Sequence, residues 1–573
     1  MKKKPKSQKT KLTHRFAKAS ERANARVRKN FLSRLPHFQN IRLLVAEWVL
    51  LVLIIIGFAS GQAVWFTNSY TKDAFVRGGT YTEATLGKVS SLNPLFATTN
   101  SEKVLSRLLF LSLVSIDYSG HPSLVLAKTL TPSEDGKVWT LTIKDNFKWS
   151  DGHNLTIDDV LFTIDLIKSP QVGSVYAANL ANVVVSSNPE TQEIVFRLPA
   201  SYADFNLALD FPIAPKHELE DATLKTLVED EFSINPVSSG AFSYNAMQPT
   251  ADENERIYYL SANPYYYEGA PMLSSFGIHT YNTREEIASA INSGVVTATA
   301  ELYDMPASAE AVYNVKKVPL SSGVFLFFNL NAPVTASHDL RAVVRQGLNL
   351  ESVRQAAPDT LALDYPLSSV QIQLTNLPEL PSFDENAALA RMRELYGENA
   401  PHLTITTVDT GELPKVADAL AANLRAIGFP VDVIAYPENQ EFLTNIIAKR
   451  NYEILLYDIE LGADPDLLPY YHSSQASETG LNLSNYRNAI VDDLLISARA
   501  TLASELRARK YESFLEYWVR DIPAIALYQP NLTYFYNKNV RAFGDNIHLV
   551  TPLDRFVDIY NWASIRGSVN LTP

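Results

Sequence analysis

The 573-residue chain contains no cysteine. Disulfides, cysteine-ligated metals and acylation of a lipobox cysteine are therefore excluded, and any attachment to a membrane must come from a polypeptide segment. Signatures of common enzyme classes are missing as well: there is no H-E-x-x-H, no G-x-S-x-G and no G-x-x-x-x-G-K-[ST]. The ten histidines are dispersed, with no pair at metal-ligand spacing. Carboxylate pairs such as Asp158-Asp159 and Asp492-Asp493 stand at the starts of expected helices, where capping and the helix dipole account for them. These absences point away from an enzyme, a cofactor and a metal centre.

Acidic residues are scarce at the N-terminus. Residues 1–42 hold 14 Lys/Arg against one acid, Glu21, whereas the chain beyond Phe66 holds 36 Lys/Arg against 60 Asp/Glu. Between them, Leu43–Phe66 is an apolar run with a single charge, Glu47. At ~1.5 Å per residue, 24 residues reach ~36 Å, enough for a ~30 Å hydrocarbon layer with some tilt. The run is longer than the ~7–15 apolar residues of a cleavable signal peptide, so we read it as an uncleaved anchor. The positive-inside bias places the tail in the cytoplasm and the acidic remainder on the extracytoplasmic face of the cell membrane. The tail is read as a topology determinant rather than a nucleic-acid-binding arm.

No second run of transmembrane length and no fixed-period repeat occurs; Gly323–Leu330 is strand-sized. With 46% hydrophobic and 20% charged residues, the remainder is globular and too long for one core. Its periodicity alternates as an α/β protein requires. Val138–Ile143 reads as a strand facing inward through Trp139, Leu141 and Ile143, followed by a turn at Asp151-Gly152. A T-x-x-D cap at Thr156 and Asp159 then opens a helix through Val160, Ile164 and Ile167. Residues 415–427 have helical spacing through Val416, Leu420, Leu424 and Ile427, closed by Gly428, and strands are expected at 431–436 and 452–457. Ile490, Leu494 and Ala498 suggest one helical face; after a cap at Ser504, Leu506, Phe514 and Trp518 suggest another.

The segments GGTYTEATLGKVSSLNPLF from Gly78 and DGKVWTLTIKDNFKWSDGHNLTIDDVLFTI from Asp135 begin an ordered series of motifs. PVSSGAFSY from Pro236, NPYYYEGAP from Asn263 and INSGVVTATAEL from Ile291 continue it. FFNLNAPVTASHDLRAVVRQGLNLESV from Phe327, DPDLLPYYHSS, NYRNAIVDDLLISA and DIPAIALYQP complete it. In this order they resemble the bacterial extracellular solute-binding protein family 5, the peptide- and nickel-binding type that serves ABC importers.

The resemblance implies a two-lobed, periplasmic-binding-protein-like α/β fold with a subdomain inserted in the first lobe and a hinge between lobes that close on a ligand. The expected organisation is a basic tail (1–42), transmembrane helix (43–66) and linker (67–77). Lobe I follows (78–112 and 207–318) around an insert (113–206), then lobe II (319–540), then a return to lobe I with a C-terminal tail (541–573). The implied partners are an oligopeptide or similar small solute and ABC permease subunits with a separate ATPase. A tethered sensor or scaffold reusing the fold is the alternative.

The resemblance also implies candidate ligand contacts. Gly87, Lys88, Val89 and Ser90 match a loop whose backbone faces the ligand. Tyr457–Asp464 matches a G-W-x-x-D stretch whose Asp holds a peptide amine, but counting back from Pro465 puts Leu461 at that Asp. Glu460 and Asp458 are the nearest carboxylates, and strand alternation turns Glu460 away from the cleft if the segment is regular. Gly462 belongs to the same segment, while Asp464 and Asp466 are expected to fix the following turn. Asn329 at the expected crossover, Tyr457 and Tyr486 are further candidates, and His472 is read as structural.

Overall fold

The computed structural model describes residues 42–188, 190–222, 227, 232–250, 255–544 and 547–570. The basic tail therefore lies outside the described residues except for Arg42, as do residues 571–573. The chain divides into two units. The smaller, which runs to Ala74 and resumes at Arg566, contains the helix Arg42–Tyr70 and most of the strand Thr71–Val76 and of its partner Ile565–Asn570. Among the described residues one helix, through Leu44–Trp65, is long and apolar enough to cross a membrane. It is apolar around its whole circumference, as a lipid-facing helix would be.

Among the described residues the larger unit is built on three main sheets, with a two-stranded pair, Val114–Ile116 and Pro122–Leu124, beside them. A seven-stranded sheet has the order 313–319, 531–537, 298–299, 80–86, 275–281, 256–262, 242–249. Thr80–Leu86 pairs in parallel with Ser275–Tyr281 and Ala298–Thr299. A six-stranded sheet has the order 361–362, 524–529, 322–328, 454–460, 403–408, 431–436. A four-stranded antiparallel sheet, 127–132, 138–143, 193–197 and 184–188, forms the insert.

Several elements follow directly from side-chain pattern. Every residue of Ser322–Phe328 is buried, because this strand is central in its sheet and covered on both faces. The helix Leu413–Ala426 buries Val416, Leu420 and Leu424; Ile427 caps it and Gly428 continues at φ +93°, a conformation that costs glycine little. The helix Ile157–Lys168 opens on Thr156, whose N–H donates to Asp159 Oδ2 at 2.8 Å. Asp159 Oδ1 also accepts from the Lys216 N–H at 2.9 Å and so ties two helices together.

Three expectations shift. The strand expected at 452–457 runs from Ile454 to Glu460. The helix Ala489–Arg499 buries Val491, Leu495 and Ala498, leaving Ile490 exposed, because its phase is set by packing against Ser504–Asp521 rather than by local apolarity. The chain returns to the first sheet at Pro530, not near 540: Asn531–Asn537 pairs with both Tyr313–Pro319 and Ala298–Thr299. The two lobes are thus joined at 320–321 and at 530, where the Leu320 N–H donates to Pro530 O (3.0 Å) and the Ser321 N–H to Leu549 O (2.8 Å).

Candidate functional site

The strand Ile454–Glu460 reaches the hinge with Glu460 opposite Ser322. Regular pairing ends there, and a tethered loop follows. The Leu461 N–H donates to Ser321 O at 2.9 Å, and the Leu461 side chain is buried in the second-lobe core. The amide of Gln371 donates to Leu461 O (2.8 Å) and Asp464 O (2.6 Å) while its oxygen accepts from the Ser368 N–H. Gln371 therefore fixes the shape of the loop through its carbonyls. A residue facing the core at 461 leaves Glu460 facing solvent, so the expected outward rotation of Glu460 is overturned.

Glu460 and Gly462 face two adjoining cavities of about 660 and 930 Å³ that share Asp210, Thr551 and Asp554. The larger is walled by Tyr202 and Phe205 on the insert side and by Gly462, Asp464 and Arg499 on the second-lobe side. The smaller is walled by Lys103 and Arg107 of the helix Asn100–Leu109, by Glu301 and by Glu460. Among the described residues the Glu460 carboxylate has no hydrogen bond or ion pair, while its backbone carbonyl accepts from the Tyr470 hydroxyl.

Several other charges of the cleft are engaged. Arg107 bridges Asp210 (3.1 Å) and Asp554 (3.3 Å). Burial opposes its charge, yet the two carboxylates hold its pKa above the ordinary value. Arg555 pairs with Glu83 at 2.5 Å, with both side chains almost fully buried, and Glu83 also accepts from the Tyr534 hydroxyl at 2.8 Å. Burial raises the Glu301 carboxyl although the Leu86 N–H and Asn100 donate to it.

Across the larger cavity, Tyr202 of the insert donates to Asp464 Oδ2 at 2.6 Å, the Arg499 guanidinium lies 4.5 Å over the Tyr202 ring, and Arg507 pairs with Asp204. Asp464 is therefore a contact across the cleft rather than a turn residue. Asp466 does fix the turn, accepting from the Leu468 N–H at 3.2 Å, and pairs with Arg499.

The remaining candidates lie elsewhere. Asp458 opens into a separate cavity of about 190 Å³ with Tyr303, Lys317 and Glu438. Solvent reaches it, but surrounding protein pushes its carboxyl up to about 6, with Glu438 and Glu460 adding to the effect. None of Gly87, Lys88, Val89 and Ser90 lines these three cavities. Val89 is buried in the first-lobe core; the Gly87 N–H extends the sheet to Tyr281 O, Lys88 O accepts from the Thr99 hydroxyl, and the Ser90 N–H donates to Glu102.

Asn329 is a correction. It follows Phe328, at the opposite end of its strand from Ser322 and Glu460, and all four amide positions are used: Nδ2 donates to Arg450 O and Tyr452 O, and Oδ1 accepts from the Asn331 N–H and Asn485. Tyr486 is another, a buried side chain donating to Asp521 at 2.6 Å. Tyr457 packs on Phe442 with its hydroxyl pushed up to about 12 by burial and by Asp458. His472 caps a short turn through Ser474.

Sequence reasoning missed Arg107, Asp210, Tyr202, Gln371 and Asp554. They come from four distant segments, Tyr202 and Asp210 sharing one, and nothing local in the sequence marks them as neighbours.

Comparison with known proteins gives the family and the fold. The family model for bacterial extracellular solute-binding proteins, family 5 (middle), matches residues 121–480. The oligopeptide-binding protein AppA of Bacillus subtilis (strain 168) is 24% identical over 513 residues, covering 84% of this chain and 92% of AppA. The structure of that protein in complex with a nonapeptide superposes with a TM-score of 0.66 at 21% identity, covering 86% of this chain and 100% of the other. The substrate-binding protein CtaP of Listeria monocytogenes gives a TM-score of 0.73 at 21% identity, covering 85% and 99%.

Proposed function

The chain belongs to the bacterial extracellular solute-binding proteins of family 5, and from that membership we propose that it is a membrane-tethered receptor that captures an oligopeptide or similar small solute and delivers it to an ABC importer. The observation that carries the reading is the pair of adjoining cavities beside the hinge, of a size suited to a small flexible ligand, with the unpartnered Glu460 carboxylate on the wall. An extended peptide would pair its main chain with exposed backbone at the cleft and place its amine at Glu460. The name and bound nonapeptide of AppA support this choice of solute class.

The energy for import would come from a separate ATPase, since the chain has no phosphate-binding loop. The ligand would be delivered unchanged. The apolar helix would be the tether, with the N-terminus cytoplasmic and the cleft on the extracytoplasmic face. In this reading residues 78–112 and 207–318 make most of lobe I around an insert at 113–206.

Native mass spectrometry of the full chain in detergent micelles tests the proposal. A mass shift that disappears on denaturation and corresponds to an intact peptide is the expected result. Turnover of an added peptide, abolished by one point substitution, would overturn it.

A further inference from the structure

Outside the cleft, the turn of the insert after Trp149 meets the short helix Lys216–Leu219, which lies beyond the insert in lobe I. Asp151 Oδ2 lies 2.8 Å from His153 Nδ1 and 2.9 Å from His217 Nε2, and the three donor atoms all lie within 4.8 Å of one another. We propose that Asp151, His153 and His217 bind one divalent transition cation of the Zn²⁺ or Ni²⁺ kind.

Two imidazole nitrogens and one carboxylate oxygen are the donor set that such borderline ions take up, leaving a fourth position for water. In a tetrahedral site with bonds of ~2.1 Å the donors stand ~3.4 Å apart, so modest outward rotations of the exposed His153 and His217 rings admit an ion.

The backbone that carries these groups is fixed independently of them. The Trp149 N–H donates to His153 O at 2.9 Å, and Gly152 takes φ +95°, which a side chain would strain. The His153 N–H donates to Asp151 Oδ1 at 3.0 Å, so Oδ2 is the oxygen turned to the histidines. On the facing element, Asp159 holds the Lys216 N–H, next to His217. The two imidazole rings are 4.5 Å apart. A bound ion would tie the insert to the lobe I segment that carries His217 and so stabilise the fold by mass action.

The test uses tag-free full-length protein in detergent, stripped with EDTA and titrated with Zn²⁺ against a chromophoric chelator. One equivalent should bind and raise the melting temperature. His153→Ala and His217→Ala should each weaken that equivalent by at least about tenfold and remove the thermal shift, a loss no smaller than that from deleting an outer partner of a metal ligand. His121→Ala, on an exposed turn of the insert, should behave like the wild type. Unchanged affinity and stoichiometry in the His153→Ala/His217→Ala double variant would overturn the site. X-ray absorption of the zinc-loaded protein should show imidazole scattering, and an all-oxygen environment would overturn it equally.

Discussion

The Tyr202 hydroxyl and the Asp464 carboxylate, 2.6 Å apart, join the insert to the loop that follows Glu460, beside the Arg507–Asp204 pair and the Ala203 N–H donating to Arg499 O. In the Tyr202–Asp464 bond the donor is neutral and the acceptor is a carboxylate, the class of hydrogen bond worth about 1.5–3 kcal/mol. Tyr202→Phe should therefore favour the open form by a similar amount. Solution scattering should give a larger radius of gyration for the variant, with ligand affinity reduced; identical scattering curves would show that closure does not depend on this contact.

The same end of the cleft should respond to pH. Burial pushes the Asp204 carboxyl from 3.8 up to about 6 although Arg507 opposes it, and Asp466 is pushed up to about 6 although Arg499 opposes it. A carboxyl raised in the folded state contributes stability that is complete below its unfolded value, ~4, and is lost as pH rises through the folded value. Their contribution to the melting temperature should accordingly be larger at pH 5 than at pH 7. Asp204→Asn should flatten the slope between pH 4 and 7; a slope equal to the wild type would assign it to other groups.

Glu460 offers a sharper test of ligand chemistry. Replacement by Gln should weaken a free-amine peptide by about 1.5–3 kcal/mol while leaving its N-acetylated counterpart nearly unaffected, as measured by calorimetry. Asp458→Asn, which alters the separate small cavity, should change neither. Equal losses for both peptides on changing Glu460 would assign the residue to the fold.

Arg555, which lines the smaller cavity, is paired with the buried Glu83 and also lies 4.1 Å over the Phe556 ring. Removing one member leaves the other charge buried without its partner, which costs about 3–5 kcal/mol. Arg555→Met should lower the denaturation midpoint accordingly. A change within about 0.5 kcal/mol, the scale of a surface substitution, would contradict this account.

The proposed topology is checked by adding protease to spheroplasts. The region after Phe66 should be digested while the basic tail stays protected. Protection of the large segment would reverse the orientation.

Local chemistry made much of the architecture readable from sequence. Alternation in Val138–Ile143, the Thr156–Asp159 cap and the Val416, Leu420, Leu424 stripe each depend on residues within one or two turns of the chain, where backbone geometry alone dictates which side chains share a face. The apolar run at the N-terminus is legible for the same reason, since its length and composition need no partner. The site was not legible in that way. Asn329 carries the residue type of a ligand contact, but its surroundings consume all four hydrogen-bonding positions. Glu460 looked wrongly phased until the Ser321 and Gln371 contacts turned Leu461 into the core.

Sequence by itself indicated the element types through periodicity, while its motifs in order carried the resemblance that implied the family and the two-lobed plan. Tertiary structure alone decided that Arg107 meets Asp210 and Asp554, that Tyr202 meets Asp464, and that His153 meets His217. Each is a contact between side chains from distant segments. Such contacts are set by how sheets and loops pack, and chain-local pattern carries no information about that packing.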